Sequence, residues 1–184
     1  MHNITIIKKR KENEKRVILT PIEVKKLTNA NFNVYVESDA GIYCGFSNDD
    51  YLKSGAIILS RDEAWKNSGL KLKYKAPIEE EFKYLNKDTI LAALYHAKGN
   101  FKLMKEMKKS GMTAYSFEFF KTKDNYFPLA YPGGEIAGKM AIIYATYFLQ
   151  NQFNGKGRFL CSTIGAKKAK VGIIGFGNVG SSSA

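Results

Sequence analysis

Cysteine is scarce in this chain: the two among its 184 residues, Cys44 and Cys161, stand far apart and in no ligand-like spacing. A disulfide framework needs a denser set and a zinc site needs clustered pairs, so neither organises this protein. Arginine is scarce as well. Lys and Arg together number 29 against 17 Asp and Glu, a formal charge of +12, yet the arginines are only Arg10, Arg16, Arg61 and Arg158. The lysines alternate with acids, as from Glu79 to Lys87, and the one basic run is Lys8 to Lys11. A nucleic-acid surface concentrates its cations on one face and adds stacking aromatics in a recognisable motif. Neither is visible, so the charge reads as a lysine-rich solvated surface with no nucleic-acid partner. Long hydrophobic runs are missing too. The longest, Met140 to Leu149, is too short to cross a bilayer, and no apolar core or cleavage site follows the early charges, which argues against a secretory leader. A cytoplasmic protein with no membrane partner is expected.

What the chain does contain is a repeated pairing of a short apolar run with a helical pattern. Ile4 to Ile7 reads as a strand, and Thr20–Pro21 opens a helix with a threonine cap and proline in its first turn. Asn33 to Glu37 is a second strand, and Ser47 caps a short helix through Leu52. Ala56 to Leu59 is a third strand, followed by a capping box made by Ser60 and Glu63. Leu70 to Tyr74 and Thr89 to Tyr95 are strands separated by a helix from Glu79 to Tyr84. Asn100 caps a helix to Lys109, and Thr113 to Phe117 is the next strand. Alternation of this kind specifies an α/β domain, a largely parallel sheet with flanking helices. Gly134 to Gln150 then reads as one longer helix in which Ala137, Gly138 and Ala141 allow close packing.

After a polar connector from Asn151 to Lys170, the apolar run Val171 to Ile174 reads as a strand leading into Gly175, Gly177 and Gly180, spaced as G-x-G-x-x-G. In a dinucleotide-binding turn the first glycine makes the bend and the second admits a pyrophosphate. The third lets the helix pack on its strand. A plain strand–turn–helix contact could use the same residues. The acidic residue that reads the ribose about 20 positions later would fall beyond Ala184, so NAD and NADP are not distinguished. The organisation expected is a substrate domain over residues 1–133, a connecting helix over 134–153, and the start of a Rossmann unit over 154–184. Residues after about 155 are expected to pack loosely, because that strand lacks sheet partners.

Three charged positions lie at the edges of apolar elements. Arg16 sits in N-E-K-R-V-I-L-T-P, between the first strand and first helix, where a surface salt bridge would account for it. Lys75 follows the fourth strand in K-Y-K-A-P, a place where lysines are commonly solvated. His96 ends L-A-A-L-Y-H, the most apolar strand. Ligands of open α/β sheets bind at carboxyl strand ends, so a structural and a catalytic role are both open. His2, in the terminus, carries no case.

Taken in order, N-E-K-R-V-I-L-T-P, V-E-S-D-A-G, G-F-S-N-D-D-Y, S-G-A-I-I, K-Y-K-A-P, L-Y-H-A and G-E-I-A-G resemble the N-terminal signatures of the alanine dehydrogenase and nicotinamide nucleotide transhydrogenase family, over essentially the whole chain. The resemblance implies that Arg16 and Lys75 bind substrate, that Lys75 and His96 are catalytic, and that Gly175, Gly177 and Gly180 hold NAD. It implies reversible oxidative deamination of L-alanine to pyruvate and ammonia, with a small amino or keto acid as partner and a homo-oligomer at full length. His96 favours the dehydrogenase branch, because transhydrogenase α subunits lack it. A transhydrogenase-like or saccharopine-dehydrogenase-like protein and a non-catalytic remnant are the alternatives. One departure is local: the family's Met-Ser before its E-V-A-G motif is Gly133–Gly134 here, and the resemblance implies that the absent serine would lie near the cofactor. The other is extent, since the rest of the family's Rossmann domain is not in the sequence, and the 184 residues alone are expected to be inactive.

Overall fold

The computed structural model describes residues 2–10 and 12–184; Lys11, the last of the N-terminal basic run, lies outside the described residues. The chain divides into two compact units, Met1–Glu118 and Phe119–Ala184.

In the first unit the alternation becomes six strands: β1 (Asn3–Ile6), β2 (Asn33–Glu37), β3 (Ile57–Leu59), β4 (Leu70–Lys75), β5 (Ile90–Leu94) and β6 (Thr113–Ser116). They form one sheet in the order β3-β2-β1-β4-β5-β6, and every pairing is parallel. Parallel neighbours require crossovers. These contain α1 (Pro21–Asn29), α2 (Asn48–Lys53), α3 (Arg61–Lys66) and α4 (Phe101–Ser110), together with a 3-10 turn at Glu79–Tyr84 where the sequence pattern reads as a helix. The helix starts follow local chemistry. Ser47 receives the Asp50 amide at 3.2 Å while Asp50 accepts the Ser47 amide at 2.8 Å. Glu63 likewise accepts the Ser60 amide at 2.9 Å, and the Asn100 carbonyl oxygen caps α4 through the Leu103 amide at 3.3 Å.

Successive strand residues point to opposite faces, and each face has its own core. Ile6, Val34 and Val36 pack with Val24 of α1 and Tyr51 of α2. Ile7, Leu91 and Ala93 pack with Trp65 of α3 and Leu103 of α4. Covering both faces has a consequence that charge counting misses. Lys71 and Lys73 of β4 are 3% and 0% exposed, so the lysines are not all a solvated surface. Lys73 Nζ lies 3.3 Å from Glu81 and 3.2 Å from the Lys8 carbonyl, and Arg10 pairs with Glu37. Burial pushes the Lys73 amine below its ordinary value, opposed by the Glu81 carboxylate. The same buried Glu81 belongs to the run read as alternating surface charge.

In the second unit α5 (Tyr131–Phe148) begins three residues earlier than its apolar pattern indicates, because Pro132 supplies the first turn. It packs against α6 (Asn178–Ser183), and the contact uses Gly134 and Gly138 rather than Ala137 and Ala141, which are exposed. A Cβ at Gly138 would meet the Val179 carbonyl at 2.3 Å, and one at Gly134 would meet Asn178 Nδ2 at 2.1 Å. Asn178 donates to the Tyr131 carbonyl at 2.8 Å, and Ser183 to that of Gly138 at 3.0 Å. The strand expected at Val171 to Ile174 does not form. Its backbone joins no ladder, and Ile174 is fully exposed. A strand is defined by its neighbours, and β-branched residues alone do not supply them.

Candidate active site

The strand order reverses once within the sheet. The chain moves outward from β1 to β3, then crosses back to lay β4 against the other edge of β1. In open α/β sheets, ligands bind outside the carboxyl strand ends at such a reversal. Arg16 is carried by the connection after β1, Lys75 by the last position of β4, and His96 by the turn just after β5.

Register brings the second and third together. Leu72 of β4 pairs with Ala92, but Lys75 pairs with Leu94, a slip of one residue between Leu72 and Lys75. Irregularities of this kind re-aim side chains near functional sites. Here Lys75 Nζ lies 2.6 Å from His96 Nε2. His96 itself takes φ +46°, a left-handed conformation that costs a non-glycine residue about 1–3 kcal/mol and persists only where its surroundings impose it. The group that meets this turn is Glu118, just past β6. Its carboxylate accepts the His96 amide at 2.7 Å and the Tyr95 amide at 3.2 Å, and also the Ser116 hydroxyl. Burial raises the Glu118 pKa, but the hydrogen bonds from Ser116 and from the His96 and Tyr95 amides outweigh it. The carboxyl therefore sits below its ordinary range. Glu118 escaped the sequence reading because it lies 22 positions from His96 and carries no local motif.

Lys75 and His96 line a cleft of about 260 Å³ with Pro77, Phe82, Leu94 and Leu103. Two cationic or titratable heads over an apolar floor suit a small polar molecule, since pockets for drug-sized ligands run to several hundred Å³. Arg16 does not line this cleft. Its guanidinium lies 4.3 Å above the ring of Tyr74, next to Lys75, and is held by Glu14 at 2.5 and 2.6 Å. The buried Lys73, Glu81 and Glu37, with the half-buried Arg10, link β4, the turn after it, β2 and the connection that bears Arg16.

In the second unit the three glycines divide their duties. Gly175 has φ +92°, which glycine alone adopts freely, and a Cβ at Gly180 would strike the Gly175 carbonyl at 1.9 Å. Space around Gly177 is open. A bend, a close contact and an unobstructed backbone between them are what a pyrophosphate-binding turn asks of its glycines.

Residues 5–137 match the model of the alanine dehydrogenase/PNT N-terminal domain. Alanine dehydrogenase 1 of Staphylococcus aureus is 37% identical over 154 residues, covering 84% of this chain and 41% of that protein. Among solved structures, an L-alanine dehydrogenase superposes with a TM-score of 0.90 at 32% identity, over 98% of this chain and 50% of that one. A transhydrogenase from Sinorhizobium meliloti superposes with a TM-score of 0.70 at 26% identity, over 79% and 44%. The chain thus spans less than half the length of the curated relatives it matches. Through its parallel sheet and the match across residues 5–137, the chain belongs to the alanine dehydrogenase/PNT N-terminal domain family.

Proposed function

We propose that this chain is the substrate-binding part of an NAD-dependent amino-acid dehydrogenase that interconverts L-alanine with pyruvate and ammonia. The observation that carries this reading is the 2.6 Å approach of Lys75 Nζ to His96 Nε2 at adjoining carboxyl strand ends. Residues 1–133 bind substrate, 134–153 connect, and 154–184 begin the nucleotide-binding unit. Gly175, Gly177 and Gly180 would hold the pyrophosphate of NAD, or of NADP, which when bound supplies the hydride acceptor. The remaining chemistry belongs to side chains. Arg16, once exchanged from Glu14, grips the substrate carboxylate with a planar fork of donors. Lys75 places positive charge beside the carbonyl or imine and contributes to binding the carboxylate. His96 moves the proton as water adds to or leaves that carbon. The histidine favours the dehydrogenase over the transhydrogenase branch of the family.

The test is a chimera in which residues 1–184 replace the matching segment of the Staphylococcus aureus alanine dehydrogenase 1. It is expected to oxidise NADH in the presence of pyruvate and ammonia. In that chimera, Lys75→Ala should reduce turnover about 10²–10³-fold, the usual loss for a group that stabilises developing charge. His96→Ala should reduce it about 10²–10⁴-fold, as for a positioned acid or base. Arg16→Lys should raise KM for pyruvate more than it lowers kcat. Unchanged kinetics in both Lys75→Ala and His96→Ala would overturn the proposal.

A further inference from the structure

The ring of His96 is 61% exposed, so packing alone does not fix its orientation and specific bonds must. Two groups address it from opposite sides. Lys75 Nζ lies 2.6 Å from Nε2, and a carboxylate oxygen of Glu118 lies 3.9 Å from Nδ1. An ammonium has donors and no acceptor. Against a charged Lys75, Nε2 must therefore present its lone pair, and a neutral ring then carries its proton on Nδ1, the nitrogen facing Glu118. The backbone agrees with this arrangement. The consecutive amides of Tyr95 and His96 both point at the Glu118 carboxylate, at 3.2 and 2.7 Å, forming a concave pair of donors that closes on an anion. The Ser116 hydroxyl holds the same carboxylate from the strand side.

We infer that Glu118 is a positioning residue: by accepting the Tyr95 and His96 amides it clamps the left-handed turn that brings Nε2 to Lys75, and its charge, 3.9 Å from Nδ1, acts with the Lys75 ammonium to favour the Nδ1–H tautomer. The relevance to turnover rests on the function proposed above; the placement of the ring proton does not. A free neutral imidazole favours the opposite tautomer, with the proton on Nε2, so the protein has to impose this one. The role of Glu118 comes from the topology, which lays the end of β6 beside the turn that follows β5.

The chain has two histidines, which makes a direct measurement simple. The 184-residue protein, labelled with nitrogen-15, is examined by long-range proton–nitrogen correlation about two pH units above the ordinary histidine pKa, where neutral rings dominate. His2, which is exposed, serves as the internal reference. His96 is expected to show the Nδ1–H pattern and His2 the ordinary mixture rich in Nε2–H. In Glu118→Gln, which keeps the side-chain length but loses the charge, the His96 signals should move toward the His2 pattern. The amide resonances of β1, β2 and β4 should stay in place. An Nε2–H ring in the unsubstituted protein overturns the inference without any variant, and so does an Nδ1–H pattern that persists undiminished in folded Glu118→Gln. The two proposals fail separately. An Nε2–H ring in a protein whose chimera is active removes the role of Glu118 alone. An Nδ1–H ring in a protein whose chimera is inactive leaves that role standing and counts against the dehydrogenase reading.

Discussion

Ile6, Val34, Val36, Leu91 and Leu103 of the first unit are 1% exposed or less, while Ile143, Phe148 and Ile174 of the second are 57%, 60% and 105% exposed. Among the described residues after Glu118, Gly138 alone is buried. Apolar content does not explain the contrast, because α5 is richer in large hydrophobics than any helix of the first unit. The difference is layering. In the first unit each strand has a parallel neighbour and each sheet face has helices against it. In the second, the element that packs on the 18-residue α5 is the six-residue α6. A hydrophobic stripe becomes a core only when a second layer closes over it, so stability and the proposed chemistry are concentrated where the layers exist.

The strongest way to break that contrast is at the buried charges of the first unit. Glu81→Ala removes the carboxylate next to the fully buried Lys73 and should cost about 3–5 kcal/mol, the usual loss when one member of a buried pair is left alone. Urea unfolding followed through the fluorescence of Trp65, 3% exposed and stacked on Tyr84, measures it. The joint replacement Lys73→Met with Glu81→Leu should recover most of the loss. A small effect of Glu81→Ala would show that water reaches this network and that the first unit is less closed than its burial indicates.

Acid should act on the first unit next. Glu118, Glu23 and Glu63 have carboxyl pKa values held below the ordinary 4.5. For Glu23 and Glu63 the main cause is the hydrogen bond from the capping hydroxyl of Thr20 or Ser60. For Glu118, burial pushes upward and the donated hydrogen bonds prevail. A carboxyl depressed in the folded state binds fewer protons than in the unfolded state. Its contribution is therefore complete above about pH 4.5 and is lost as pH falls through the lower folded-state value. Stability against urea should be flat on this account from neutrality down to about pH 5 and should decline below pH 4.5. Glu118→Gln should remove part of that decline, and an unchanged slope would separate Glu118 from the acid response.

Smaller effects separate local chemistry from layering. Ser60→Ala breaks the capping box of α3, whose hydroxyl reaches Glu63 at 2.6 Å, and should cost about 1 kcal/mol by the same urea measurement. Ile174→Ser, at a fully exposed side chain, should change stability by no more than about 0.5 kcal/mol. Backbone amides at 171–174 should exchange with solvent far faster than those of Ile90–Leu94, since only the latter are laddered on both sides. Slow exchange at 171–174, or a loss of several kcal/mol in Ile174→Ser, would erase the distinction between the units.

Much of the architecture was determined by the sequence itself, because it depends on short-range chemistry. Alternation of apolar runs with capped amphipathic segments sets strand and helix, and Thr20, Ser47, Ser60 and Asn100 set where α1 to α4 begin. Parallel pairing follows from the intervening crossovers. Lys75 and His96 could be singled out because each lies at the edge of an apolar strand, and Gly175 and Gly180 because a bend and a close contact need glycine. Only the tertiary structure decided what these residues meet. The strand order put Lys75 and His96 on adjacent strands, and a slip of one residue between Leu72 and Lys75 aimed them at each other. It also buried Lys73 against Glu81 although both look like surface charges, recruited Glu118 from the next strand, and left Val171 to Ile174 without a ladder. The physical reason is the same in each case. A cap or a turn is satisfied by atoms a few residues away, whereas an ion pair, a strand or an oriented imidazole is satisfied by atoms that only the folded chain brings near.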